Sequence, residues 1–121
     1  MRLVAEDGAP VCERCFVADT RWTRMKGLLG RRSLPRDEGL LITKTGSIHM
    51  FFMRFPIDAV FLDKDLGIER IASDLKPWRM AAKRGAKQVL ELPAGEASRR
   101  GLAVGQRLFL RDQKRDEPAE S

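Results

Sequence analysis

The chain has no tyrosine, one histidine and two cysteines, and each shortage narrows what the protein can do. With His49 as the sole imidazole, proton transfer has one obvious side chain and no relay partner fixed by local spacing. Cys12 and Cys15 have the Cys-x-x-Cys spacing of zinc ribbons and thiol redox sites, but the second pair that a ribbon needs is missing. On an unbroken strand, residues three apart point to opposite faces, so the two sulfurs meet only if the chain turns between them. The expectation is a pair of structural cysteines with no metal. Lack of tyrosine also thins any platform for stacking bases. Trp78 is the one aromatic between residues 76 and 107, and no RNP, KH or helix-turn-helix signature accompanies it.

Long apolar runs are absent as well. Nothing approaches the ~18 apolar residues of a membrane-spanning helix, and Glu6 and Asp7 interrupt the region where a secretory signal needs unbroken apolar chain. A cytoplasmic protein without membrane insertion is expected. Glycine-rich phosphate loops, a nucleophile elbow and a dinucleotide fingerprint are also missing. Asp63, Asp65 and Glu69 do not keep the glycine and glutamate positions of a calcium loop, so they read as a hairpin turn. No complete catalytic or metal-binding constellation remains, and no cofactor is expected.

What is present suits one small folding unit. With 121 residues, 43% of them hydrophobic, the chain is long enough for one core without metal or disulfides and too short for two ordinary domains. The expected division is one β domain over residues 1–111 and a disordered tail over 112–121, polar and holding Pro118. Net charge is +6, unevenly spread: residues 76–107 hold eight Lys/Arg against two acids, whereas 37–75 hold four against seven. Such a basic segment either solvates a face or meets an acidic partner.

Punctuation by glycine and proline divides the chain into short elements. Residues 10–17 read as an opening strand, and Asp19 caps a helix that buries Trp22, Met25, Leu28 and Leu29 and stops at Gly30. Strands follow at 40–43 and 47–49; 57–62 and 68–72 make a hairpin around 63–67. Residues 73–86 have no clean period and read as a long loop, with a helical turn or two available between Trp78 and Arg84. A strand over 88–92, a short helix over 94–100 ended by Gly101, and a closing strand over 106–111 complete the pattern. Short strands with two marginal helices predict a mainly β fold, either a sandwich or a partly closed barrel.

Three segments together carry a resemblance. Gly27-Leu28-Leu29-Gly30-Arg31 with Glu38-Gly39-Leu40-Leu41, then Ser47 through Asp63, then Val89-Leu90-Glu91-Leu92-Pro93-Ala94-Gly95 with Gly101-Leu102 and Gly105 resemble domain-of-unknown-function family 192 over roughly residues 11–111. The resemblance implies a compact β-sandwich of jelly-roll type and no reaction. Departures are visible: Phe52 stands where the family commonly has Trp, the linker Arg54-Phe55 before Pro56-Ile57-Asp58 is short, and Leu66 replaces a usual glycine.

Candidate site residues gather around the phenylalanine-rich bend. Phe51, Phe52, Met53 and Phe55 beside Arg54 are too dense for one face of an extended segment, so one set leaves the main core and lines either a second layer or a groove. Trp78, next to Arg79, is placed to cover that groove. His49, Asp58 and Glu91 complete the list, the two carboxylates being those expected near the imidazole if it acts. The first reading is a non-catalytic module binding a small molecule or a polypeptide. A nucleic-acid-binding protein using residues 76–107 is the alternative, and a hydrolase or transferase using His49 with Asp58 or Glu91 is the third.

Overall fold

The computed structural model describes residues 2–18, 36, 38–50 and 54–111, and it is mainly β. Ten strands are described: β1 (Arg2–Val4), β2 (Pro10–Cys12), β3 (Arg14–Ala18), β4 (Glu38–Thr43), β5 (Ser47–His49), β6 (Ile57–Leu62), β7 (Ile68–Leu75), β8 (Met80–Ala82), β9 (Gln88–Pro93) and β10 (Phe109–Arg111). One short helix, α1 (Glu96–Arg99), is among them. The helix expected after Asp19 and the tail expected after residue 111 lie outside the described residues.

A five-stranded sheet in the order β3-β4-β9-β6-β7 forms the centre. Its middle strands are apolar on both faces because both faces are covered. Along β6, Ile57, Ala59 and Phe61 enter one apolar cluster while Val60 and Leu62 enter the other, as the two-residue period of a strand requires. Leu3, Val11, Cys12, Cys15, Ala97, Leu102 and Leu108 cover the first face, contributed largely by the three-stranded sheet β10-β1-β2 and by α1. Ile48 and Ala81 from the two-stranded ribbon of β5 and β8, with Met50, Phe55 and Ala86 from outside it, cover the second face. Among the described residues, no sheet closes into a barrel. The pairs are antiparallel except β3 with β4, which run parallel.

Three sequence expectations are corrected. The opening strand over 10–17 breaks at Glu13 into β2 and β3, which belong to different sheets. Arg2–Val4 forms a strand that the sequence reading missed, held between β2 and β10. Residues 73–86 are not mostly loop: β7 runs on to Leu75, and Met80–Ala82 pairs with β5 instead of turning into helix. Strand there is selected by tertiary pairing and by burial of Ala81, which outweigh the weak β-propensity of Met-Ala-Ala.

Between β6 and β7 the predicted hairpin holds. Asp63 Oδ1 accepts the N–H groups of Asp65 and Gly67, both at 2.8 Å, so this carboxylate organises the turn. Leu66 adopts φ 68°, the left-handed conformation natural to the glycine it replaces. Its side chain compensates by packing into the first-face cluster, where it is 8% exposed.

Candidate functional site

Every other residue of the β5–β8 ribbon meets the sheet. Ser47, Ile48 and His49 pair with Ala82, Ala81 and Met80, and Ile48 and Ala81 pack toward the second-face cluster. Met80, on the outward alternation, is 67% exposed. Just beyond the ribbon, Met50 N–H donates to Arg79 O at 2.7 Å and Trp78 N–H donates to Met50 O at 2.8 Å. Those bonds extend the pairing past the strand ends and tie the Trp78 turn to the start of the phenylalanine-rich segment, two regions the sequence reading placed together. Trp78 has φ 70° and is 58% exposed.

Cations flank this apolar pair along the chain. Arg79, Lys83, Arg84 and Lys87 are exposed and have no ion pair among the described residues, whereas Lys76 Nζ is bound to Asp74 Oδ2 at 2.7 Å. The basic excess of residues 76–107 is therefore divided. Five cations border the ribbon, Arg99 and Arg100 sit at α1, and both acids of the segment, Glu91 and Glu96, are buried.

The remaining candidates separate by depth. Met50 is 1% exposed and Phe55 is 9% exposed, so the two flanks of the bend belong to the second-face core, while Arg54 is exposed. Phe51, Phe52 and Met53 lie outside the described residues, as does the side chain of His49. The backbone of His49 runs on the second-face side, opposite Met80.

Asp58 and Glu91 do not converge. Asp58 is registered with Leu92 and Glu91 with Ala59, so the two carboxylates leave opposite faces of the sheet. Asp58 Oδ1 accepts Asp74 N–H at 2.8 Å, and its Oδ2 accepts Gly95 N–H at 3.0 Å and Ala97 N–H at 2.9 Å. One buried carboxylate thus fastens the end of β7 and the start of α1 to β6, which places Asp58 in the framework and away from His49. The hydrolase or transferase reading that pairs His49 with Asp58 loses this partner.

Glu91 is different. It is 4% exposed, on the sheet face under the ribbon, with no hydrogen bond or ion pair to it among the described residues. Burial alone pushes its carboxyl up to about 8.

Both cysteines are buried, as expected of structural thiols. The bend at Glu13 supplies the turn that a single strand would lack, and both thiols enter the first-face cluster, Cys12 fully buried and Cys15 5% exposed. Cys12, as hydrogen-bond partner, and then burial push the Cys15 thiol far above its ordinary range. Gly39 makes the room: a Cβ there would stand 2.6 Å from Cys12 Sγ. Among the described residues, no group of three or more His, Cys, Asp or Glu is placed to hold a metal ion.

Comparison with known proteins agrees with this geometry. The model of domain-of-unknown-function family 192, described as an uncharacterized ACR family, matches residues 3–110, and the chain belongs to it. A UPF0127 protein of the archaeon Thermococcus sibiricus is 38% identical over 94 residues, 68% of this chain, and the chain spans only 56% of that relative's length. A UPF0127 protein of Pyrococcus furiosus is 40% identical over 97 residues, covering 75% of this chain and 81% of its own. Two crystal structures share the fold. A Novosphingobium aromaticivorans protein of unknown function superposes with TM-score 0.79 at 24% identity, covering 90% of this chain and 82% of the other. A Sinorhizobium meliloti protein, provisionally described as a transcription regulator, superposes with TM-score 0.77 at 28% identity, covering 89% of each chain.

Proposed function

We propose that the chain is a non-catalytic binding module whose recognition surface is the outer side of the β5–β8 ribbon together with the Trp78 turn. One observation carries this reading: Trp78 and Met80, two large apolar side chains, are held outward by paired backbone while their neighbours Ile48, Met50 and Ala81 pack inward. An exposed tryptophan on a paired backbone, followed in the chain by exposed cations, suits a partner that carries both apolar and acidic groups. The expected occupant is a small molecule or a polypeptide segment of that character. Residues 51–53 adjoin the surface in sequence and are included in it by proposal.

Chemical-shift mapping with a library of small acidic aromatic compounds and acidic peptides tests the assignment. Hits are expected to move the amide signals of residues 47–50 and 76–82 and to be lost in a Trp78→Ala, Met80→Ser double variant. Shifts confined to other parts of the fold, or unchanged binding by that variant, would remove the ribbon from consideration.

A second reading rests on the same cations: Arg79, Lys83, Arg84 and Lys87, exposed and without an ion pair among the described residues, follow the exposed Trp78 in the chain, a minimal combination for nucleic acid. The relative described as a transcription regulator adds weight to it. Titration with single-stranded and duplex DNA at two salt concentrations separates the readings, because phosphate contacts lose affinity steeply as salt rises.

A further inference from the structure

On the opposite face of the sheet from the ribbon, α1 presents a cluster of arginines built around one carboxylate. Glu96, 6% exposed, accepts Arg99 Nε at 2.9 Å and Arg99 Nη2 at 2.8 Å in a two-pronged pair, and accepts Arg100 Nε at 3.0 Å. Arg36 Nε approaches the same carboxylate at 3.7 Å, and Arg100 Nη2 donates to Arg36 O. Three guanidinium groups are thereby fixed about one acid. Next to them opens a cleft of about 470 Å³ whose described walls are Pro10, Val11, Glu13, Arg36, Arg99 and Arg100.

The donor balance decides what this cleft takes. Both Glu96 oxygens are already occupied, while Nη1 of Arg99, Nη1 of Arg100 and both Nη atoms of Arg36 make no hydrogen bond among the described residues. Among the described residues three cations face two acids, Glu96 and Glu13, so the described walls of the cleft carry net positive formal charge. Arg100, with a side chain 10% exposed, is held on both sides, and Arg99 is locked into the planar fork on Glu96. Their free donors are thus oriented before a ligand arrives, which reduces the ordering cost of binding.

We propose that the cleft bounded by Arg36, Arg99 and Arg100 binds the phosphate group of a small phosphorylated molecule. Its volume falls within the range of small-ligand sites, and guanidinium groups match the oxygens of phosphate in geometry as well as charge. Pro10 and Val11 give the rest of the molecule an apolar wall. Because this site and the ribbon lie on opposite faces, neither depends on the other.

Calorimetric titration of the chain at constant ionic strength, with inorganic phosphate, phosphoserine and a nucleoside monophosphate in turn, tests the assignment. Saturable binding is expected for at least one of them, weakened about tenfold or more by Arg36→Ala with Arg99→Ala, as loss of charge-assisted contacts implies. Binding of inorganic phosphate alone identifies a site for the free ion. Tighter binding of phosphoserine or the nucleotide shows that the walls also read the group attached to the phosphate. Lack of saturation by all three, or equal binding by a double variant whose circular dichroism matches the parent, would overturn the proposal.

Discussion

Asp58 and Glu91 are buried on neighbouring strands of one sheet and leave it in opposite directions, the first bonded to three backbone N–H groups and the second to no described partner. Two carboxylates of similar depth therefore have opposite consequences for stability. Asp58→Ala is expected to cost about 3 kcal/mol in urea unfolding, since three backbone donors, the buried Ala97 N–H among them, lose their acceptor. Glu91→Gln at pH 8 is expected to leave stability unchanged or raise it. Equal losses in the two variants would mean that Glu91 has a bonding role the geometry does not show.

The pH dependence of unfolding follows from the same contrast. Glu91, raised from 4.5 to about 8 in the folded state, contributes stability that is fully present below pH 4.5 and is lost as pH rises to about 8, because the unfolded chain gives up the proton first. The limiting slope for one such group is about 1.4 kcal/mol per pH unit. Glu96 has the reverse sign: held at about 2 by the Arg99 and Arg100 hydrogen bonds, it stabilises above pH 4.5 and that contribution fades as pH falls through about 2. Unfolding curves of the parent and of Glu91→Gln should therefore diverge between pH 5 and 8, the parent losing ground. Parallel curves would contradict the burial of an unpaired carboxyl.

The thiols should be inert. With Cys12 fully buried and Cys15 held neutral beside it, iodoacetamide at pH 8 is expected to label neither on the timescale of a free cysteine, and to label both promptly in denaturant. Rapid labelling of the folded chain would show a reactive thiolate. Gly39→Ala should speed labelling as well as weaken the fold, because the added methyl has to displace the Cys12 sulfur.

Leu66 offers a reversal of the usual ranking of alanine over glycine. At φ 68° an alanine keeps the strain of roughly 1 kcal/mol and loses most of the leucine contacts, whereas glycine loses the contacts and removes the strain. Both variants should be less stable than the parent, with Leu66→Ala the weaker of the two. Thermal unfolding of the pair gives the order directly.

Much of the framework was legible in the sequence because it rests on local signals. The 57–62 and 68–72 strands show β-formers on either side of an aspartate- and glycine-bearing turn, and Gly101 at φ 70° ends α1 as the helix-stop rule requires. What escaped notice depends on distant partners. Arg2–Val4 is too short to carry a period and becomes a strand between β2 and β10; Met80–Ala82 does so opposite β5. Cys12 and Cys15 meet because Glu13 hands the chain from one sheet to another, and no spacing rule announces such a handover.

The candidate site was legible in part. Trp78 and the phenylalanine-rich bend were associated from composition, and the structure joins Trp78 to Met50, where that bend begins. Met80 was missed: a lone methionine in a basic segment gives no outward signal until its strand partner is known. The Glu96 cluster was also missed, although Glu96, Arg99 and Arg100 stand at helical spacings of three and four, a pattern that could have revealed it. Arg36 joins them from far along the chain, which spacing does not disclose.

The pairing of Arg2–Val4 with Phe109–Arg111 has a bearing on how the protein is born. The edge of Arg2–Val4 that faces Phe109–Arg111 stays open until more than a hundred further residues have followed it, even though its other edge can meet Pro10–Cys12 early. Nascent chains stalled short of Phe109 lack that closing strand and should display Leu3 to whatever chaperone attends them.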